Sequence, residues 1–208
     1  MKNFLFLIPL FSLCCSTTDI TVNHNALNPV KVIALAPFTS SYIIDPLIYK
    51  ESEESFAAAF TRLNYKIINL PPASQEQAEN RFNLPEEAIK KLKSDAIASG
   101  AHALLYGKII FHEERTRNVF LHRPFILRRY SVFDSDDEIK TITEFKFQIQ
   151  ITVVSLSDDS IILELKNRYP ETEHDEYLPA LTSLEAYRKY TLEKTARELV
   201  KAIRGKTG

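Results

Sequence analysis

The stretch EFKFQIQITVVSLSDDSIIL, residues 144–163, decides the class of the fold. Phe145, Phe147, Ile149, Ile151 and Val153 alternate with Lys146, Gln148, Gln150 and Thr152, which is the period of a strand with one face buried. SLSDDS at 155–160 then supplies turn chemistry, and IILELKNRY at 161–169 returns as an antiparallel partner. A hairpin of this length needs a sheet beside it and a layer over its apolar face.

Upstream, KVIALAPF at 31–38 is a continuous apolar run, the pattern of a strand covered on both faces. Asp45 and Pro46 form a helix start, and Ser52, Phe56, Ala59, Phe60 and Leu63 recur at helical spacing until Asn64. A short strand is expected over 65–70, stopped by Pro71 and Pro72. A second helix begins near Pro85, with Glu86 and Glu87 at its positive end and Ile89, Leu92, Ala96 and Ile97 on its inner face. Gly100 closes it, and a buried strand from Ala103 to Phe111 follows, with Gly107 permitting close packing. Downstream, Thr182 and Glu185 form a capping box for a last helix with the stripe Leu184, Tyr187, Thr191, Leu192, Ala196, Leu199 and Ile203. The expectation is one layered α/β domain over residues 31–208, a mixed β-sheet flanked by helices.

The N-terminus carries an address. The apolar run from Phe4 to Leu13, preceded by Lys2, is too short to span a bilayer and has the shape of a cleaved secretory signal. It ends at Cys14 and Cys15, the only cysteines in the chain. This arrangement resembles the lipobox of bacterial lipoproteins, in which a cysteine is acylated and the signal is cut just before it. The resemblance implies a signal peptide over 1–14 and lipidation at Cys15, which has the small Cys14 before it; Cys14 itself, preceded by Leu13, is the alternative. Several acyl chains make a stable membrane anchor. Residues 16–29 are polar without a sustained period and read as a flexible tether of up to ~45 Å.

Composition agrees with a domain that relies on its core. Removal of 1–14 leaves no free thiol and no disulfide framework. Loss of Lys2 takes the formal net charge from −1 to −2, so nothing marks a global nucleic-acid binder. The order of KVIALAPF, a helix ending TRLNYKII, a helix ending AIASGAHALLYGKI, the strand FQIQITVVSLSDDSIIL and a final helix resembles the periplasmic domains of the CsgG, LpoB and TolB N-terminal-domain group of lipoproteins. That resemblance implies an outer-membrane, lipid-anchored protein facing the periplasm, with a non-enzymatic assembly or regulatory role exercised through an envelope protein partner and with oligomers possible. A channel barrel fits less well, because only the strand from Glu144 to Val154 has the alternation a spanning strand requires.

One segment departs from a bare scaffold. Residues 112–140 read as a hairpin-like insertion in which Arg115, Arg117, Arg123, Arg128 and Arg129 interleave with Phe120, Phe125, Tyr130 and Phe133 before an acidic run from Asp134 to Glu138. Arginine and aromatics dominate interface hot spots, so Arg115, Arg117, Phe120, Arg123, Phe125, Arg128, Arg129 and Tyr130 are the candidate partner-binding residues. A solvated charged edge that prevents strand pairing is the other reading. An enzyme needs a nucleophile with a base, a carboxylate pair or a metal site. HEERT at 112–116 lacks the second histidine of HExxH, and no G-x-S-x-G or Walker pattern occurs. His112, Glu113 and His122, or His174 with Asp175 and Glu176, would at best bind a metal weakly. No cofactor and no nucleic acid is expected; surface display with binding of external ligands is the alternative function, and a weak metal-dependent enzyme is the second alternative.

Overall fold

A computed structural model describes residues 18–72, 81, 86–121, 138–167 and 183–205. The strands are β1 (Thr18–Val22), β2 (Val32–Leu35), β3 (Thr39–Ser40), β4 (Lys66–Asn69), β5 (Ala103–Leu121), β6 (Glu138–Ser155) and β7 (Ile161–Asn167). The helices among the described residues are α1 (His24–Leu27), α2 (Pro46–Thr61), α3 (Glu86–Ala98) and α4 (Leu184–Ile203). Together the strands make one seven-stranded mixed sheet in the order β1-β7-β6-β5-β2-β4, with β3 also beside β5. The expected α/β class, a mixed sheet flanked by helices, is what the chain builds.

Each early element forms for a local reason. Asp45 caps α2 by accepting from the Leu47 N–H at 2.9 Å, with Pro46 in the first turn. Asn64 at φ 68° and Gly100 at φ 76° take the left-handed conformation that ends α2 and α3. β2 lies parallel between β4 and β5 and is covered on both sides. Ile33 and Leu35 enter the larger core under α2 and α4, while Ala34 and Ala36 face α3 with Leu92, Ala96 and Leu104. Gly107 is required by packing, since a Cβ there would sit 2.6 Å from the Phe38 ring. The β6–β7 pair is antiparallel, and Phe147, Ile149, Ile151 and Val153 all lie in the larger core.

Three expectations are corrected. Residues 16–29 do not form one long tether: Thr18–Val22 pairs antiparallel with β7, and Asn23 caps α1 through the Ala26 N–H. β1 alternates Asp19 and Thr21 outward with Ile20 and Val22 packed on the core, a five-residue period easily lost among polar neighbours. The domain therefore starts at Thr18, not at Lys31. In α3, Ile89 and Ile97 are exposed and only Leu92 and Ala96 are buried, because α3 covers a narrow strip of sheet. The cap of α4 is Ser183, which accepts from the Ala186 N–H at 3.2 Å, while Glu185 pairs with Lys189 at 2.6 Å. Thr182 and residues 1–17, which hold the expected signal and both cysteines, lie outside the described residues.

Candidate docking site at the root of the ribbon

β5 and β6 are far longer than the strands around them. From Ala103–Ile109 and Ile149–Ser155 they are part of the sheet, flanked by β2 and β3 on one side and β7 on the other. Beyond a bulge between Ile109 and Phe111 they continue as a pair alone, from Phe111 opposite Gln148 to Leu121 opposite Glu138. Among the described strands none pairs with this distal part from outside. Of the segment 112–140, expected as a hairpin-like insertion, the described residues 112–121 and 138–140 belong to these two strands, and 122–137 lie outside the described residues.

Asn167 marks where the ribbon leaves the sheet. Its buried side chain accepts from the Ile149 N–H at 2.6 Å and donates to the Phe147 carbonyl at 2.9 Å, and its own carbonyl accepts from the Gln148 amide at 3.0 Å. The side-chain amide of this last β7 residue continues the contact with β6 beyond the Gln150–Lys166 pair, so the Ile149 N–H and the Phe147 carbonyl are satisfied.

A network of charged and polar groups braces the root on the helical face. Arg188 of α4, only 7% exposed, donates from Nε and Nη2 to Oε2 of Glu51 on α2, at 3.0 and 2.6 Å. Its Nη1 lies 3.2 Å from Nε2 of His112, whose ring also meets Phe147 edge-on. Burial, and then the Arg188 charge, hold His112 below its usual pKa, with Asp45 and Glu51 acting in the opposite direction. A neutral His112 then accepts from Arg188. Tyr187 stacks on Phe145 beside it.

β3 is held from the other side. Glu53 on α2 accepts from the Phe38 N–H at 2.8 Å and pairs with Arg81 at 2.5 Å, and the Arg81 guanidinium lies 4.8 Å above the Tyr49 ring. Ser40 bonds the Tyr42 carbonyl and sits 2.6 Å from the Tyr49 hydroxyl. The Tyr42 phenol is pushed up to about 12, first by burial and further by Glu113. Ser40, Tyr49, Glu53 and Arg81 engage one another or the backbone and so position the strand, while the buried Tyr42 hydroxyl has no hydrogen-bond partner among the described residues.

The candidate residues separate along the ribbon. Arg115 is exposed on β5 and meets Glu113 at 3.1 Å, with Lys146 across the strands at 4.0 Å from the same carboxylate. Arg117 and Phe120 occupy β5 opposite Ile142 and Ile139. Arg123, Phe125, Arg128, Arg129 and Tyr130 lie outside the described residues, as do Cys14, Cys15, His122 and His174 to Glu176. His112 and Glu113 diverge: the first faces Phe147 and Arg188, the second Arg115 and Lys146, so the pair does not converge on a shared ion. Asn167, Arg188 and Glu51 escaped the sequence reading. An asparagine ending a strand pattern and an arginine on the inner stripe of α4 were the available signals.

No protein-family model matches the chain, and no curated protein matches it. Among solved structures it is similar to the PelC dodecamer from Paraburkholderia phytofirmans, at TM-score 0.46 and 10% identity over 86% of this chain and 92% of that one. It is similar to the lipoprotein GNA1162 from Neisseria meningitidis, at TM-score 0.39 and 12% identity over 77% and 98%. It is also similar to the LpoB C-terminal domain from Salmonella enterica, at TM-score 0.36 and 10% identity over 66% and 81%. At these scores the likeness lies in the path of the chain and carries no statement of activity.

Proposed function

We propose that this protein is a lipid-anchored envelope protein, acylated at Cys15 and facing the periplasm, that works without catalysis by docking a protein partner through the β5–β6 ribbon. The observation that carries the reading is the ribbon itself. Two strands leave the sheet together, braced at the root by Asn167 and the Glu51–Arg188–His112 group, and continue with only each other as strand partners among the described residues. Isolated two-stranded ribbons are marginal in water, and an element of that kind fits a role completed by a partner. The short interval between Cys15 and β1 does not support action at a distance, so the partner belongs close to the anchoring membrane.

The test is a photo-crosslinking residue placed at Thr116 in intact cells, with a matching one at Asp158 on the opposite end of the sheet. The expected result is a discrete envelope protein captured from position 116 alone, with capture lost in R128A/R129A while the domain stays folded. Equal capture from both positions, or capture that survives the double substitution, would reject the ribbon as the docking element. Surface display predicts instead that protease added to intact cells removes the protein.

A further inference from the structure

The register of β1 gives the anchor a direction. Thr18 lies opposite Asn167, whose side chain meets Phe147 and Ile149 of β6, so the first residue of the fold is level with the root of the ribbon. β1 runs from that end of the sheet towards the β6–β7 turn, with Val22 opposite Leu163. The chain therefore enters the fold at the ribbon end. From Cys15 to Thr18 it can span at most ~11 Å. The ribbon, from Ile149 to Glu138, extends roughly 35 Å from the same end at ~3.3 Å per residue.

These two lengths conflict unless the ribbon meets the membrane. We infer that the ribbon end of the sheet faces the bilayer that holds the acyl chains of Cys15, and that the β5–β6 ribbon lies along or dips into its headgroup layer as a second attachment. The inference rests on the lipoprotein reading above and deepens it, since a partner docked by the ribbon is then met at the membrane surface. The residues of the ribbon suit an interface better than a hydrocarbon core. Glu113 opposite Lys146 and Arg115 opposite Glu144 hold charge near the root, which is costly at bilayer depth but not among headgroups. Apolar positions gather farther out at Val119, Phe120, Leu121 and Ile139. The sheet end around the root is apolar as well: Ile43 and Leu47, on the loop and first turn that follow β3, are 79% and 62% exposed, and Phe111 is 40% exposed. Ile97 and Ile161, also exposed, lie towards the other end, so the entry point of the anchored chain decides the orientation.

The chain has no tryptophan, so one introduced indole reports one position. The full acylated protein would be placed in vesicles of phosphatidylethanolamine and phosphatidylglycerol with and without a headgroup nitroxide lipid, as the variants T116W, R115W and D158W. Thr116 and Arg115 are exposed and occupy opposite faces of the ribbon, and Asp158 is exposed in the far turn. The expected result is loss of emission for T116W or R115W on adding the nitroxide, with D158W unchanged. Quenching of D158W, or of none of the three in protein whose N-terminal peptide carries acyl chains by mass, would overturn the orientation and leave the lipoprotein reading standing. An unmodified N-terminal peptide would sink both.

Discussion

The same two strands behave as two different structures along their length. Between Ala103 and Ile109, β5 is paired on both sides and covered by α2, α3 and α4, and its side chains Ala103, Leu104, Leu105 and Ile109 are all essentially buried. From Phe111 outward the β5–β6 ladder continues in register to Leu121, yet Phe111, Glu114, Arg115 and Thr116 are exposed. Both halves keep the β5–β6 ladder, but only the covered half also pairs outward with β2, β3 and β7 and lies against the core. Net stabilisation by a hydrogen bond is modest, about 1 kcal/mol, so a ladder without a core beneath it holds a shape only where something else supports it.

The largest expected effect separates the halves directly. In the free protein, amides of Leu104, Leu105 and Ile151 should exchange only through global unfolding, while those of Thr116 to Leu121 should exchange by local opening at much lower free energy. Hydrogen exchange read by mass or NMR would show a gap of several kcal/mol, and equal protection in both halves would remove the distinction. Binding to vesicles should narrow that gap if the ribbon rests on the membrane.

The root is where the halves are joined, and breaking it should cost the next most. Glu51→Gln leaves the buried Arg188 charge without its carboxylate, and the expected loss is about 2–4 kcal/mol, reduced from the fully buried case because the Glu51 side chain is 33% exposed. Chemical denaturation would give the value, and a loss under about 0.5 kcal/mol would mark the pair as incidental. Gly107→Ala drives a methyl into Phe38 and should cost about 1–3 kcal/mol in the covered half. Asn167→Ala removes two buried contacts to β6 and should cost about 2 kcal/mol, with the Ile149 amide losing protection before the rest of the strand.

The smallest effect is in pH. His112 is held below its usual 6.5, so the unfolded chain takes up a proton that the folded one refuses. Its contribution is fully present above about pH 6.5 and declines as the pH falls below that value, towards the lower folded pKa. In His112→Asn the stability–pH curve should be flatter across this window. An unchanged slope would show that His112 is free to protonate in the fold.

Much of the covered half was legible in the residues. KVIALAPF is apolar on both faces because β2 has helices on both sides, and 145–153 alternates because one side of β6 faces the larger core, although Gln148 and Thr152 on its other side are buried as well. The α2 start at Asp45–Pro46 and the left-handed stops at Asn64 and Gly100 are local chemistry, readable without neighbours. The candidate site was legible only in outline. The interleaved arginines and aromatics pointed to 112–140, but the two groups that brace its root, Arg188 with Glu51 and Asn167 with Phe147 and Ile149, join residues from separate elements. β1 was missed because a short edge strand among polar residues has too weak a period to stand out.

By itself the amino-acid sequence determined the α/β class, the covered strands, the helix ends and the signal-like N-terminus, since periodicity, capping and turn preference are properties of neighbouring residues. Only the tertiary structure decided that the chain from Thr18 to Val22 is a sheet strand, and that β5 and β6 outrun the sheet at the end where that strand begins. Register and edge position are fixed by partners far away in the chain, and no local pattern encodes which end of a sheet a terminal strand will start from.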